Sequence, residues 1–164
     1  MATITKIITG AGTGTNGYRI EGKLEFTYNV NSSNNGYTVE AKLYTRVGDG
    51  YTSSSSSSRS TATLNINGET SSTTVAINYG TIKNNWTLLY SRTASIKTYG
   101  NSFSVKVEGS WVMPASSYVT GGNIGTHWIS LPALNTPCTA PTSISINKEI
   151  VAKETEVRIS WNAG

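Results

Sequence analysis

The residues that most often carry covalent or metal chemistry are scarce in this chain. There is one histidine (His127), one cysteine (Cys138) and one aspartate (Asp49) among 164 residues. Nucleophilic catalysis needs a nucleophile, a base within hydrogen-bond reach and a third group that orients the base. His127 is the only imidazole, and it sits in the strand-like run His127-Trp-Ile-Ser-Leu131, where an ordinary strand histidine is the simpler account. Cys138 lies between prolines with no neighbouring base. A lone thiol cannot pair within the chain, and it builds no metal site without further Cys or His ligands. Glycoside hydrolysis needs two carboxyls about 5–5.5 Å or about 6.5–9.5 Å apart. Glu21 and Glu25 share a strand face, but four strand residues span about 13 Å. Glu40 on the next strand comes nearer, yet Lys23 and Lys42 stand among these acids, which favours a cross-strand ladder of ion pairs. Gly10-Ala-Gly-Thr-Gly14 lacks the Lys-Ser/Thr of a phosphate loop and leads into a strand. The chain is therefore expected not to be an enzyme: no catalytic residue, no metal and no cofactor.

Binding chemistry is better supplied. Sugar-binding β-sandwiches present exposed aromatic rings whose flat apolar faces stack on pyranose rings. The rings here that fall out of phase with a core or lie in loops are Tyr44, Tyr51, Tyr99, Tyr118, Trp86 and Trp128. These are the candidate ligand-binding residues. Trp111 and Trp161 are in phase with their strands and are expected in a core. The competing account is plain: tyrosine is a routine strand residue, and single exposed apolar side chains are normal.

Strands must position these rings. In Tyr18–Val30 the even positions are apolar or Gly and the odd ones polar, which gives a strand one dry and one wet face. Tyr37–Val47 repeats the pattern in the opposite phase after a loop, Asn31-Ser-Ser-Asn-Asn-Gly36, suited to a hairpin. The serines Ser53 to Ser58 cannot order themselves by burial and are expected to form a mobile loop. Further strands are expected at 3–9, 61–67 (ended by Asn67-Gly68), 73–79, 86–98, 102–112 and 127–131, with 86–98 and 102–112 joined as a hairpin at Tyr99-Gly-Asn101. The segment from Pro114 to Gly125 is Gly-rich and is expected to be a connection. About eight strands separated by turn signals predict an all-β fold, an antiparallel β-sandwich of jelly-roll or Ig-like kind. Pro132, Pro137 and Pro141 favour an extended linker. The expected domains are a β-sandwich over 1–137, then a linker and a β-hairpin over 138–164.

Charge narrows the partners. Thirteen Lys and Arg against nine Asp and Glu give a net charge of +4. The basic residues are spread from Lys6 to Arg158 with no run of three, whereas nucleic-acid binding wants them clustered. No nucleic-acid partner is expected. No stretch approaches the roughly 20 apolar residues of a membrane span, so no membrane partner is expected either. Met1-Ala-Thr-Ile4 opens no signal-like apolar core, and synthesis in a cytoplasm is expected.

Several short motifs in order carry a resemblance. They are the start Met1-Ala-Thr-Ile4, Val39-Glu-Ala-Lys-Leu-Tyr-Thr-Arg46, Gly50-Tyr-Thr-Ser-Ser54 with its serine tract, Leu64-Asn-Ile-Asn-Gly68, and Ile96-Lys-Thr-Tyr-Gly-Asn-Ser-Phe-Ser-Val105. Together they resemble the N-terminal domain of minor structural proteins of tailed bacteriophages, the siphoviruses of Gram-positive hosts in particular. Ala140-Pro-Thr-Ser-Ile-Ser-Ile-Asn-Lys148 and Glu156-Val-Arg-Ile-Ser-Trp161 are similar to the first two strands of a fibronectin type III or Ig-like module. The resemblance implies a virion structural protein of the tail or baseplate, made in the bacterial host cytoplasm and serving assembly and host attachment. It implies other virion tail proteins as partners and host cell-surface glycans as a further one. Covering the exposed strand edges implies homo-oligomer assembly as well. A carbohydrate-binding module for cell-wall or surface polysaccharide is the alternative reading, and the two are compatible.

Overall fold

The computed structural model describes residues 2–8, 20–31, 36–48, 57–98, 102–112, 121–134, 143–146 and 159–162. The chain divides into two compact units, Met1–Leu134 and Asn135–Gly164. The first contains β1 (Ala2–Ile8), β2 (Ile20–Val30), β3 (Gly36–Val47), β4 (Ser57–Ile66), β5 (Glu69–Asn78), a single helical turn α1 (Tyr79–Ile82), β6 (Thr87–Lys97), β7 (Phe103–Val112) and β8 (Gly121–Leu131). In the second, β9 (Ser143–Ile146) and β10 (Ile159–Asn162) pair antiparallel, with Ile159 opposite Ile146.

The first unit is an antiparallel β-sandwich. Its front sheet has the order β1-β2-β3-β6 and its back sheet the order β5-β4-β7-β8. The chain crosses between sheets from β3 to β4, from β5 to β6 and from β6 to β7. The pairs β3–β6 and β4–β7 therefore join strands far apart in sequence. This corrects the expected hairpin at 99–101. β6 pairs with β3, from Tyr37 opposite Ile96 to Thr45 opposite Thr87, and β7 pairs with β4 and β8. Alternation says which face of a strand is dry, but not which strand lies beside it. The β2–β3 hairpin does form, closed by Asn31 N–H donating to Gly36 O at 3.0 Å. So does β4–β5, with Asn67 (φ 54°) and Gly68 (φ 93°) at its tip, the positive-φ pair of a two-residue turn.

Two expected loops are partly strand. Ser57 and Ser58 begin β4, opposite Asn78 and Ile77. Ladder hydrogen bonds need only backbone, so a serine run can extend a strand whose partner is fixed elsewhere. Residues 53–56 of that run lie outside the described residues. β8 starts at Gly121 rather than at His127, and the reason is packing. The Trp111 side chain, 2 % exposed, fills the space beside Gly22 of β2 and Gly122 of β8. A Cβ at Gly122 would lie 2.6 Å from its ring, and one at Gly22 would overlap it. The glycines are strand residues that make room for an indole.

The core follows the alternation. From β2 it takes Ile20, Leu24 and Phe26; from β3, Tyr37, Val39, Ala41, Leu43 and Val47; from the back sheet, Ala62, Leu64, Ile66, Val105, Val107, Trp111, Ile129 and Leu131. Phe103, expected inside, is half-buried at its margin. Along one side the sheet edges β5 and β6 are laced together. Tyr90 and Ser71 share a hydroxyl hydrogen bond of 2.8 Å, and Arg92 grips Glu69 through its backbone oxygen and, at 2.8 Å, its carboxylate.

Candidate functional site

The outer face of the front sheet gathers two of the candidate rings. Tyr44 stands opposite Lys23, and Arg46 opposite Glu21. The Lys23 ammonium lies 4.3 Å from the Tyr44 ring centroid and 5.3 Å from that of Trp86; the Arg46 guanidinium lies 4.5 Å from the Trp86 ring. Lys23 also pairs with Glu25 at 2.8 Å, Arg46 with Glu21, and Lys42 with Glu40 at 3.1 Å. Two of these three pairs run along a strand rather than across strands, which amends the expected cross-strand ladder. The Lys23 hydrogen bond holds the Glu25 carboxyl below its usual range, and Ser91 and Lys42 do the same for Glu40. Partial burial and a hydrogen bond to Glu25 push the Tyr44 hydroxyl up to about 12. Both rings are half-buried and stacked by cations of their own sheet. Their faces are committed to cation–π contacts within the protein, so this cluster braces β2, β3 and the start of β6.

The outer face of the back sheet is different. Its middle rows carry short polar side chains. Thr70, Asn65, Glu108 and Thr126 lie abreast on β5, β4, β7 and β8, and Ser72, Thr63, Ser110 and Asn123 form the next row. The β7–β8 register shifts between Gly109 and Ser110, leaving Ile124 as the extra, buried residue. Such a bulge bends a strand and re-aims its side chains. Gly125 (φ 78°) faces Gly109 beside it, with no atom within 4 Å of where its Cβ would be. The bend and the missing side chain of Gly125 leave a trough of about 260 Å³, lined by the two glycines and by all of the two polar rows but Ser72.

The trough is organised by hydrogen bonds. The Asn65 amide donates to Thr70 Oγ1 at 2.9 Å while its oxygen accepts from Gly68 N–H at 2.9 Å. Thr63 and Ser72 share a bond of 2.8 Å, and Asn123 Oδ1 accepts from Gly125 N–H at 2.6 Å. Thr126 Oγ1 donates to Glu108 Oε1 at 2.5 Å, and Lys106 Nζ lies 2.9 Å from the same oxygen. These donors hold the Glu108 carboxyl below its usual range. One step along β8 from Thr126, on the same face and opposite Lys106, stands Trp128, 66 % exposed.

The six candidate rings thus do not form one site. Tyr44 and Trp86 share the front face and Trp128 stands on the back face; Tyr51, Tyr99 and Tyr118 lie outside the described residues. His127 points to the inner side of β8, half-buried, with Nε2 3.0 Å from Ile124 O. Sequence reasoning missed Glu108, Asn65, Thr63, Ser110, Asn123 and Thr126. Each is an ordinary wet-face residue of its strand, and only the strand order sets them side by side. The one local signal was Gly109 within an expected strand, because glycine there marks bulges and close backbone approach. A second depression, of about 190 Å³, opens between the β4–β5 turn and β6, bounded by Asn67, Glu69, Arg92, Lys97 and Phe103; the Arg92–Glu69 pair occupies its rim.

No protein-family model matches the chain, and no curated protein and no solved structure does either. What fold and surface define is a β-sandwich with an exposed tryptophan beside a trough of pre-paired polar side chains.

Proposed function

We propose that this chain is a non-catalytic adhesion module that grips surface polysaccharide through the outer face of its back sheet, and that it serves in a bacteriophage tail. One observation carries the binding reading: Trp128, 66 % exposed, stands on the same face as a trough of hydroxyl, amide and carboxylate groups already fixed by one another. A flat apolar ring beside a few well-placed polar groups suits a sugar, whose ring faces are apolar and whose rim is hydroxylated. Side chains ordered before binding lose little entropy on it. The tail placement rests on the sequence resemblance and on the polar, Ser/Thr/Asn-rich composition.

A glycan array tests the binding reading. The protein is expected to bind a subset of surface glycans, and Trp128→Ala is expected to weaken that binding by about thirtyfold or more, as loss of a central aromatic anchor of roughly 2 kcal/mol does. Because Trp128 is exposed, the variant should melt at the wild-type temperature. An array without hits, or hits indifferent to Trp128→Ala, would overturn it. Immunogold labelling of purified virions tests the tail placement, and particles that lack the protein would refute it.

A further inference from the structure

We infer that the back-sheet trough selects uncharged glycans: it receives sugar hydroxyls on the Glu108 carboxylate and disfavours chains bearing carboxylate or phosphate groups. This rests on the glycan-binding reading above and adds to it the charge class of the ligand.

The argument starts from the two oxygens of Glu108. Thr126 Oγ1 and Lys106 Nζ both approach Oε1, at 2.5 and 2.9 Å, and neither uses Oε2. A carboxylate offers about four acceptor sites over its two oxygens. The two donors therefore fix the plane of the group and leave Oε2 with its full acceptor capacity. Adjacent sugar hydroxyls are donors suited to such an oxygen, and hydrogen bonds to an ionised acceptor are roughly twice as strong as neutral ones. The same two donors keep Glu108 ionised to lower pH than a free carboxylate, so the acceptor is charged under ordinary conditions.

The surroundings set the preference. Among the described residues, Glu108 is the one ionised group lining the trough; the other lining residues are Thr, Asn, Ser and Gly. Lys106, the nearest cation described on this face, is one row away opposite Trp128 and is already engaged by Glu108. An anionic sugar seated over the trough would bring like charge to Glu108, and its carboxylate would find no unengaged cation in the described lining to replace its water. A neutral chain meets no such penalty. It can place one ring on Trp128 and the hydroxyls of the next on Glu108, because the two residues lie on adjacent rows of neighbouring strands. Rows on one face are roughly 7 Å apart and strands about 4.8 Å apart.

The test uses an array with matched pairs, each a neutral glycan and its uronic-acid counterpart oxidised at the primary hydroxyl, followed by titration calorimetry on the best pair. Wild type is expected to bind the neutral member about tenfold or more tightly. Glu108→Gln keeps the shape and removes the charge. It is expected to bind the neutral glycan about tenfold more weakly, the fold-change that accompanies loss of one charge-assisted hydrogen bond, and to discriminate little between the members of a pair. Equal or tighter wild-type binding of the uronic members would overturn the inference, as would a Glu108→Gln protein with unchanged affinity and unchanged preference. If Trp128→Ala abolishes binding while the charge preference is absent, the inference alone falls. If wild type binds no member of any pair, or Trp128→Ala binds like wild type, the glycan reading falls and takes the inference with it.

Discussion

Glycine carries two opposite roles in this sandwich, and single substitutions separate them. Gly22 and Gly122 are defined by what lies next to them, since the Trp111 ring takes the space a side chain would need. Gly125 is defined by its own backbone, with φ 78° and open space, no atom within 4 Å, where a Cβ would stand. Gly22→Ala forces an indole and two sheets apart, and overpacking of this kind costs about 1–3 kcal/mol or more. Gly125→Ala meets only the left-handed backbone penalty, roughly 1–2 kcal/mol. Urea unfolding is expected to show both variants destabilised, Gly22→Ala the more so; the reverse order would contradict the close packing of Trp111. Tyr44 offers a pH test. Its folded hydroxyl is pushed up to about 12, from an ordinary 10.0, by burial and the Glu25 hydrogen bond. The folded state thus holds this proton more tightly than the unfolded state does. The corresponding stability is complete below about pH 10 and is lost as pH rises towards 12. Urea melts of wild type and Tyr44→Phe are expected to differ by a constant amount up to about pH 9, with the difference shrinking above pH 10. A difference that stays constant to pH 12 would remove the assigned shift.

At the scale of elements, the legible part was what alternation controls. Tyr18–Val30 and Tyr37–Val47 each assign a dry face, and the buried set Leu24, Phe26, Val39, Ala41 and Leu43 is the one their phase implies. Turn chemistry was legible where two residues decide it, as at Asn67-Gly68. Partner choice was not. Nothing local distinguishes a β6 that turns back on β7 from a β6 that crosses to lie beside β3, because the energy separating them sits in contacts such as Tyr90–Ser71 and Arg92–Glu69 between edges distant in sequence. The trough inherits that illegibility. Asn65, Glu108 and Thr126 come from three strands, and they meet only because β4, β7 and β8 are neighbours. Trp128 was legible as a ring out of phase with its strand, and its exposure agrees with that. Tyr44 and Trp86 were equally out of phase, yet cations of their own sheet cover them. Out-of-phase position identifies a ring outside the core; it does not say whether the protein uses that ring itself.

For the whole molecule, the crossovers interlock the two sheets, because the pairs β3–β6 and β4–β7 each join strands separated in sequence by a strand of the opposite sheet. Its described core runs from Ile20 to Leu131, entirely within the unit Met1–Leu134. The end of that unit is tied down by specific contacts. Leu131 is 1 % exposed, Leu134 packs against the core, and the buried Tyr37 donates its hydroxyl to Pro132 O at 2.7 Å. Two truncations therefore have different expected outcomes, although they differ by four residues. A chain ending at Leu134 keeps every one of these contacts and is expected to melt cooperatively within a few degrees of the full-length protein. A chain ending at Ser130 loses the burial of Leu131, of the order of 2–5 kcal/mol. It also removes the acceptor of the Tyr37 hydroxyl, a hydrogen bond worth roughly 0.5–1.5 kcal/mol more. Against the typical stability of about 5–15 kcal/mol for a domain, that sum removes a large share of the total, so the shorter chain is expected to unfold at much lower temperature or not to fold. Differential scanning calorimetry on both separates the cases. A large loss already at Leu134 would mean that residues beyond it stabilise the sandwich, and no loss at Ser130 would mean that the Tyr37–Pro132 bond and the Leu131 side chain are dispensable.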